Sequence, residues 1–413
     1  MSAKTILYLD HTAKLGGGEI ALLDLVVALD KTRYTPVVVL ASDGPLAERL
    51  KDAGIETHVM LLDPSIVDTR KDSLGAGSLL KLKQGRLFAG YARRIAKWAR
   101  QRGVDLIHTN SLKSDFYGGL AGRLARIPVI WHVRDSINSE YLPAPVATAF
   151  RGLSRTIPTQ VVANSESTLR YLGPRRRSGA VVYSGVTMRK EQSERSDDAL
   201  HAEAPTSAKP QTVAIIGRIA EWKGQHIFLQ AASTIRKQFP QCRFWIIGAP
   251  LFGEEAYEAR IRGMVTDLEL TDNVEFLGFR NDVGALLEQV DVVVHASILG
   301  EPFGQVVVQG MAAGKPVVAT NGGALPEIVL PGITGALVPM GDSAAMAEAV
   351  IGMLADPEQA RRMGAAGRKR VLEKFTIEHT AATIASVYDD VLRNSRRASM
   401  ASGQAVSSAG RDS

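Results

Sequence analysis

Short runs of apolar residues, many of them β-branched, recur along the chain, and a turn and a helical pattern follow most of them. The apolar residues within a run are consecutive, as in strands that are buried on both faces of a sheet. Helical patterns lie between the runs, for example at residues 19–30 and 78–101. Strands that alternate with helices predict a parallel sheet covered by helices. In the first half of the chain these strands are residues 5–10, 36–41, 56–60, 104–110, 128–133 and 161–165.

The alternation stops at residues 187–211, a polar and charged segment with few large apolar residues, which we interpret as a linker. It then resumes, with helical patterns at residues 223–239 and 342–355. The chain is therefore predicted to be an α/β protein with two doubly wound domains. The strand patterns of the second half are residues 212–217, 243–248, 273–278, 290–297, 316–320 and 335–339.

The same pattern sets the other predicted boundaries. The N-terminal domain is predicted to span residues 1–186 and the C-terminal domain residues 212–375. A helix at residues 376–394 can dock on either domain, including by crossing back to the first, and the small polar residues 395–413 predict a disordered tail. Ligands of such sheets bind outside the carboxyl ends of the strands, so two domains that face a central cleft predict a small-molecule site.

The composition fits a soluble protein of enzyme size. The chain has 413 residues, of which 45% are hydrophobic and 22% are charged, so it can bury two sizeable cores. The single cysteine, Cys242, excludes disulfides within the chain, which is typical of a reducing compartment. We find no signal-peptide core and no apolar run of about 18 residues, and therefore predict a cytoplasmic protein.

The chain is basic, with a formal net charge of +6 and an isoelectric point of about 9.3. Such a surplus suits nucleic acid, an anionic membrane or an anionic small substrate. The basic residues cluster at residues 86–102, 175–177 and 396–397 without a recognisable nucleic-acid module, so no nucleic-acid partner is predicted. The basic face of the helical pattern at residues 79–100 is either solvated or docks peripherally on the anionic inner face of a membrane.

Two turns at the ends of predicted strands carry residues that suit a phosphate. Gly16, Gly17 and Gly18 follow the first strand, where the N–H groups of a helix start can approach an anion closely. Their spacing is not that of the dinucleotide fingerprint, so a plain tight turn stays an alternative. Arg218 and Lys223 follow the first strand of the second half and can converge on a diphosphate, unless they are two solvated turn residues.

Three histidines, His108, His132 and His295, lie at or near the carboxyl ends of predicted strands, where ligands bind. A lone histidine at such a position is more often a hydrogen-bonded structural residue than a catalytic one. No two of them are spaced as local zinc ligands, and the sequence D-x-D does not occur, so no metal site is predicted.

The stretch GEPFGQVVVQGMAAGKPVV places Glu301 in a loop just before a helix and Gln309 inside that helix. The free N–H groups of the helix start, near residues 303–305, form a ready anion site. A carboxylate beside an anion site is better placed to accept hydrogen bonds from neutral hydroxyls than to bind the anion. Sugar hydroxyls would therefore satisfy Glu301.

The motifs GGGE, HVRD, VVANSE, VVYSGV, GRIAEWKG, GFRNDVGALLEQVDVVVHAS and GEPFGQVVVQGMAAGKPVVATNGGALPEIV occur in this order along nearly the whole chain. Together they resemble a retaining GT-B glycosyltransferase, similar to glycosyltransferase family 4. The resemblance implies two Rossmann-like domains that face a central cleft, with the acceptor on the N-terminal side. It also implies transfer from a nucleotide diphosphate sugar to a hydroxyl of a glycan, lipid-linked or small-molecule acceptor, with retained configuration and without cofactor or metal.

The resemblance assigns catalytic and donor-binding roles to individual residues. In the family's E-x7-E signature the first acid, here Glu301, contacts the transferred sugar, and the second position, here Gln309, contacts the ribose. Arg218 and Lys223 match the family's pair on the donor diphosphate, and His132 matches a histidine near the donor sugar. The implied phosphate contacts of the helix starts and the glycine loop are Gly16, Gly17, Phe303, Gly304 and Gln305.

The chain departs from the family signature at Gln309, where a second acid is usual. A carboxylate accepts from two ribose hydroxyls with full charge, whereas an amide accepts at one atom and donates at the other. We therefore predict an active enzyme with an altered grip on the nucleotide. Two alternatives stay open: a sugar-nucleotide epimerase of the same fold, which needs no acceptor, and a non-catalytic scaffold weakened by Gln309.

Overall fold

The computed structural model describes residues 2–63, 78–174, 179–188, 210–251 and 253–409. The chain divides into two compact units, of which the first is Met1–Tyr183 with Ile377–Ser413 and the second is Ser184–Thr376. Most of the predicted linker and the basic residues 175–177 lie outside the described residues. The predicted α/β class with two doubly wound domains is confirmed.

The first unit contains a parallel sheet whose strands are β1 (Lys4–Asp10), β2 (Tyr34–Leu40), β3 (Glu56–Val59), β4 (Leu106–Thr109), β5 (Val129–Val133), β6 (Gln160–Ala163) and β7 (Ala180–Val181). Across the described sheet their order is β3-β2-β1-β4-β5-β6-β7. The order reverses between β1 and β4, which is where open sheets of this kind bind ligands. The sequence pattern missed β7 because two residues make no recognisable apolar run.

Helices cover both faces of this sheet, as a parallel sheet requires. The carboxyl end of each strand leads into a loop, and the next helix returns the chain to the amino end of the following strand. The helices of the first unit are α1 (Gly17–Ala28), α2 (Pro45–Asp52), α3 (Ser78–Arg102), α4 (Leu112–Ala125), α5 (Ala144–Leu153) and α6 (Glu166–Tyr171).

The second unit repeats this arrangement with a parallel sheet in the described order β10-β9-β8-β11-β12-β13. Those strands are β8 (Thr212–Ile216), β9 (Arg243–Ile247), β10 (Val274–Gly278), β11 (Val292–His295), β12 (Val317–Thr320) and β13 (Gly335–Val338). The helices are α7 (Gln225–Arg236), α8 (Glu255–Asp267), α9 (Val283–Glu288), α10 (Gln305–Ala312), α11 (Leu325–Ile328), α12 (Ser343–Ala355) and α13 (Pro357–Lys374).

The boundary between the units lies slightly before the predicted one. Residues 184–186, which the sequence pattern assigned to the first domain, belong to the second unit. Val186 forms a parallel bridge with Thr376, and its N–H donates to Phe375 O at 2.9 Å. This pairing holds the segment against the end of α13.

The last helix, α14 (Ile377–Ala409), belongs to the first unit. Ile384 and Tyr388 are fully buried in the same core as Tyr8 of β1. The helix continues well beyond Asn394, where the sequence pattern ended it, so the predicted disorder does not hold for residues 395–409. These residues contain no proline and several good helix formers, and small polar residues do not by themselves end a helix.

Candidate functional site

Glu301 lies in the loop after β11, where it is 9% exposed. Its Oε2 atom accepts hydrogen bonds from Lys223 Nζ at 2.7 Å, His295 Nε2 at 3.1 Å and Ser297 Oγ at 3.1 Å. Its Oε1 atom has no partner among the described residues. The carboxylate is thus fixed through one oxygen and keeps the other for a ligand.

The environment of Glu301 favours its ionised form. Burial opposes ionisation, but the Lys223 ammonium and the hydrogen bond from His295 outweigh it and hold the pKa of the carboxyl well below its usual range. The group is therefore charged at neutral pH and acts only as a hydrogen-bond acceptor. Because a carboxylate only accepts, the His295 Nε2 atom that faces Glu301 carries a proton, and Thr320 Oγ1 lies 3.2 Å from the other ring nitrogen, Nδ1.

Two glycines allow the backbone around Glu301 to pack closely. Gly323, with φ +61°, pairs with Glu301 in a parallel bridge, and a Cβ at this position would lie 2.1 Å from Glu301 O. Gly224, with φ +72°, approaches Ala296, and a Cβ there would lie 2.0 Å from Ala296 O. The turn that carries Lys223 is therefore held directly against the loop that carries Glu301.

Arg218 and Lys223 both follow β8 and lie beside the ring of Trp222. Lys223 Nζ is 4.2 Å from the ring centroid, and Arg218 Cζ is 5.7 Å from it. Arg218 Nη1 also lies 3.5 Å from Glu254 Oε1. The sequence analysis assigned Lys223 to the donor diphosphate and Glu301 to the transferred sugar, whereas the structure joins the two side chains in an ion pair.

The start of α10 supplies further polar groups near Glu301 in the chain. Gly304, with φ +110°, precedes the helix, and no side chain caps its first turn, so its N–H groups can bind an anion. The Phe303 side chain is buried against Phe375, which leaves only its backbone for a ligand. The partly buried Gln309 makes no described contact with Glu301.

In the first unit, the glycine loop opens α1. Asn110 Nδ2 donates to Gly18 O at 3.1 Å and to Asp10 Oδ2 at 2.6 Å, so the end of β4 holds the loop in place. Gly16 and Gly17 both have negative φ, so a left-handed backbone is not the reason for glycine here. A Cβ on Gly16 would lie 2.5 Å from Glu19 Oε2, whereas one on Gly17 would meet open space.

Glu19 was not predicted as a site residue, although it is the acid of the GGGE motif. Burial, and then the charge of Asp10, raise the pKa of its carboxyl to about 8. The folded protein therefore favours the neutral form of Glu19, while the unfolded chain ionises it near the ordinary value of 4.5.

Replacing Glu19 by glutamine is expected to stabilise the protein increasingly as the pH rises. Above about pH 4.5 Glu19 ionises in the unfolded wild type but stays protonated in the folded wild type until about pH 8, which destabilises the fold. Glutamine does not ionise, so its gain in stability over the wild type begins above about pH 4.5 and levels off above about pH 8. Thermal unfolding near pH 5 and near pH 9 measures this gain, because each kcal/mol of stability raises the unfolding temperature by about 2–4 °C. Glu48→Gln, at an exposed position in the first turn of α2, is the control, and its stability gain should not grow comparably with pH. A gain that is equal at both pH values would contradict the prediction.

His132, at the end of β5, is completely buried, and its Nε2 atom has no hydrogen-bond partner among the described residues. His108 Nε2 lies 3.0 Å from its Nδ1 atom, so the two histidines that the sequence treated separately form a pair. Burial, and then the charge of Arg134, hold the pKa of His132 well below its usual value, so the ring is neutral.

Arg134 is the residue of the HVRD motif that sequence reasoning overlooked. Its Nε donates to Asn110 Oδ1 at 2.8 Å, and its Nη2 lies 3.4 Å from His132 Nδ1. Burial lowers the pKa of its guanidinium to about 10, which keeps it charged at neutral pH. Its position directly after a buried strand is the signal that could have identified it.

The structure places the predicted site residues in both units. In the first unit, Gly16 and Gly17 lie in the loop that Asn110 contacts at Gly18 O, and Arg134 bridges Asn110 to His132. The second unit contains the others, namely Arg218, Lys223, Glu301, Phe303, Gly304, Gln305 and Gln309. Within the described ranges, no three His, Cys, Asp or Glu side chains group as a metal site would, and no helix is long and apolar enough to cross a membrane.

Comparison with known proteins gives matches to both units. Residues 15–189 match the family model described as Glycosyltransferase Family 4, and residues 196–370 match that of Glycosyl transferases group 1. The chain is 28% identical over 319 residues to phosphatidyl-myo-inositol mannosyltransferase of Mycobacterium leprae, and this match covers 75% of this chain and 79% of the relative. It is 25% identical over 389 residues to spore coat protein SA of Bacillus subtilis, and this match covers 90% of this chain and 95% of the relative.

A solved structure is similar over nearly the full length. Anabaena HepE, in complex with UDP and glucose, has a TM-score of 0.78 and 28% identity, and the match covers 93% of this chain and 99% of HepE. A second structure of HepE, with UDP-glucose, has the same TM-score of 0.78 at 26% identity.

Proposed function

The chain is a GT-B glycosyltransferase of the family 4 type, and we propose that it moves a sugar from a nucleotide diphosphate sugar to an acceptor hydroxyl with retention of configuration and without a metal. The observation that carries this proposal is the Glu301 carboxylate, which is ionised, fixed through Oε2 and open at Oε1. Such a group can accept a hydrogen bond from a hydroxyl of the donor sugar.

Three positive groups of the second unit suit a departing diphosphate. Negative charge develops on the leaving phosphate oxygen as the sugar–oxygen bond breaks, and fixed positive groups stabilise it. Arg218, Lys223 and the uncapped N-terminus of α10 supply that charge. One N–H of Lys223 is directed to Glu301, which leaves two for phosphate oxygens. The departing phosphate oxygen then accepts the proton of the attacking hydroxyl.

The stereochemistry of the product tests the mechanism. We expect the anomeric configuration of the donor to be retained, as ¹H NMR of the first product formed would show. Inversion would overturn the proposed mechanism. Incubation with donor alone and with donor plus acceptor separates this function from epimerisation, because an epimerase converts the donor without an acceptor.

A UDP-sugar is our first candidate for the donor, since the HepE structures contain UDP with glucose and UDP-glucose. The relatives also include a phosphatidyl-myo-inositol mannosyltransferase, so GDP-sugars belong in the same test. We would screen UDP-, GDP- and ADP-sugars by thermal shift. A bound nucleotide raises the unfolding temperature in proportion to the logarithm of its concentration over Kd. Stabilisation by none of them would count against a nucleotide-sugar site.

Gln309→Glu is expected to tighten donor binding by about tenfold. The added carboxylate would make charge-assisted hydrogen bonds to the ribose hydroxyls, which are roughly 1.4 kcal/mol stronger than those of the amide. Isothermal titration with the nucleotide found by the screen measures the change. Gln289→Glu, on an exposed residue at the end of α9, controls for the added charge and should leave Kd unchanged. Equal affinities of wild type and Gln309→Glu would argue against a ribose contact.

We also propose that the acceptor is a glycan or a lipid-linked molecule, and that the basic face of α3 docks on an anionic membrane surface. Tyr91, Ile95 and Ala99 of α3 are buried, while Arg93 and Lys97, among other basic residues of this helix, are exposed. This arrangement fits a solvated basic face and equally a face that binds anionic lipid. Co-sedimentation with vesicles with and without anionic lipid tests it, and equal pelleting in both would contradict membrane docking.

A further inference from the structure

Four buried side chains of the first unit form a continuous row of hydrogen bonds. Tyr8 Oη lies 2.6 Å from Tyr388 Oη, which lies 2.7 Å from His108 Nδ1. His108 Nε2 in turn lies 3.0 Å from His132 Nδ1. The row links α14, near the end of the chain, to the histidine at the end of β5, and all four residues are fully buried.

The protons of this row have one consistent arrangement. Burial keeps both histidines neutral, because it holds the pKa of each well below its usual value, so each ring carries one N–H. Arg134 Nη2, at 3.4 Å from His132 Nδ1, can only donate, which makes that nitrogen an acceptor. His108 must therefore donate to it through Nε2–H, and the proton of His132 lies on Nε2.

The same logic continues toward the tyrosines. With its proton on Nε2, His108 has an unprotonated Nδ1, which accepts from the Tyr388 hydroxyl. The Tyr388 oxygen then accepts from the Tyr8 hydroxyl. The row ends at His132 Nε2–H, a buried donor without a partner among the described residues.

We propose that Tyr388 is a positioning residue for His132. Through His108 it holds His132 in the Nε2–H tautomer, and that N–H donates to an oxygen of the bound substrate. The role of Nε2–H toward a sugar rests on the proposed function, whereas the coupling between Tyr388 and His132 rests only on the row itself.

The two histidine tautomers are coupled, and this makes the proposal testable. If His108 carried its proton on Nδ1, its Nε2 could only accept, and His132 would have to donate through Nδ1–H. His132 Nε2 would then be an acceptor and could not donate to a substrate oxygen. With the Tyr388 hydroxyl in place, this second arrangement would reverse the row and leave the proton of the buried Tyr8 hydroxyl with no acceptor among the described residues. Without the Tyr388 hydroxyl, only the longer contact from Arg134 opposes it.

The experiment compares Tyr388→Phe with Tyr34→Phe in the full chain labelled with ¹⁵N-histidine. Tyr34 is a matched control because its buried hydroxyl also bonds to α14, at Ala385 O and Asp389 Oδ1, but makes no bond to a histidine. Long-range ¹H–¹⁵N correlation spectra distinguish Nδ1–H from Nε2–H rings, and the signals of His132 are assigned with His132→Gln. The turnover number with the donor found by the screen is measured in parallel.

We expect Nε2–H at both His108 and His132 in the wild type and in Tyr34→Phe. Tyr388→Phe should shift both rings toward Nδ1–H together and lower kcat about tenfold, which corresponds to one hydrogen bond. An unchanged His132 tautomer in Tyr388→Phe would overturn the proposal. So would a wild-type spectrum with His132 as Nδ1–H, and this result does not depend on any variant folding.

A failure of the proposed function gives a different result. A tautomer shift in Tyr388→Phe, together with no sugar transfer by the wild type from any nucleotide sugar, would support the coupling of Tyr388 to His132. It would overturn the role of His132 Nε2–H toward a sugar.

Discussion

Replacing Glu301 by glutamine is expected to lower kcat by about 10²–10³-fold, within the range for losing one polar group fixed at a transition state. The side chain keeps its size, but Oε1 loses the charge with which it would meet a sugar hydroxyl. Lys223 loses its ion-pair partner, so its ammonium becomes fully available to the diphosphate. We therefore expect donor affinity to be unchanged or tighter while kcat falls. Steady-state kinetics together with titration of the nucleotide measure the two effects separately.

The same substitution is expected to show how the ion pair contributes to stability. Because the pKa of Glu301 is lower in the folded protein than in the unfolded chain, its ionisation stabilises the folded state at pH values above the unfolded pKa of about 4.5. This contribution is lost as the pH falls through the folded pKa. At neutral pH, Glu301→Gln should therefore cost about 2 kcal/mol, less than a fully buried pair, because Lys223 is partly exposed. The cost should shrink with increasing acidity.

Glu288→Gln is the control for Glu301→Gln, since Glu288 is an exposed glutamate at the end of α9. It should change neither kcat nor stability noticeably. A Glu301→Gln variant with wild-type kcat would contradict the role of this carboxylate in transfer. A variant that loses donor affinity but keeps kcat would place Glu301 in donor binding instead of the chemical step.

The fold could be predicted from the sequence largely because its strands are buried on both faces. A run such as residues 36–39 is continuously apolar, and its short length and three valines favour a buried strand over a buried helix. The pattern also placed Glu301 correctly, because a loop between a buried strand and a helix leaves few alternatives. It failed where the signal is short or weak, as in β7 and in residues 395–409 of α14.

The contacts that define the site could not be predicted, because they join residues that are distant in the sequence. Lys223 and Glu301 are 78 positions apart, and their pairing depends on the order of β8 and β11 in the sheet. Tyr388 and His108 are 280 positions apart. A local pattern identifies that a residue lies at a strand end, but it does not show which other side chain meets it there.

Gly323→Ala is expected to reduce kcat/KM by about 100-fold, although Gly323 is not itself a predicted site residue. A Cβ at this position would lie 2.1 Å from Glu301 O, 2.5 Å from Glu301 N and 2.8 Å from Glu301 C, all of them backbone atoms. No side-chain rotation can relieve such contacts, so the loop with Glu301 must move. A displacement of about 1 Å of a catalytic group can cost about 100-fold in rate.

Gly332→Ala separates this effect from backbone strain. Gly332 has φ +75°, close to the +61° of Gly323, but a Cβ there would meet nothing within 4 Å. Both variants therefore bear the left-handed strain of about 1 kcal/mol, and only Gly323→Ala also displaces Glu301. Urea unfolding of the two variants measures the backbone strain, and their kcat/KM values measure the effect of displacing Glu301. If Gly332→Ala lost as much activity as Gly323→Ala, strain alone would explain the loss, and the close packing of Gly323 on Glu301 would have no separate role in catalysis.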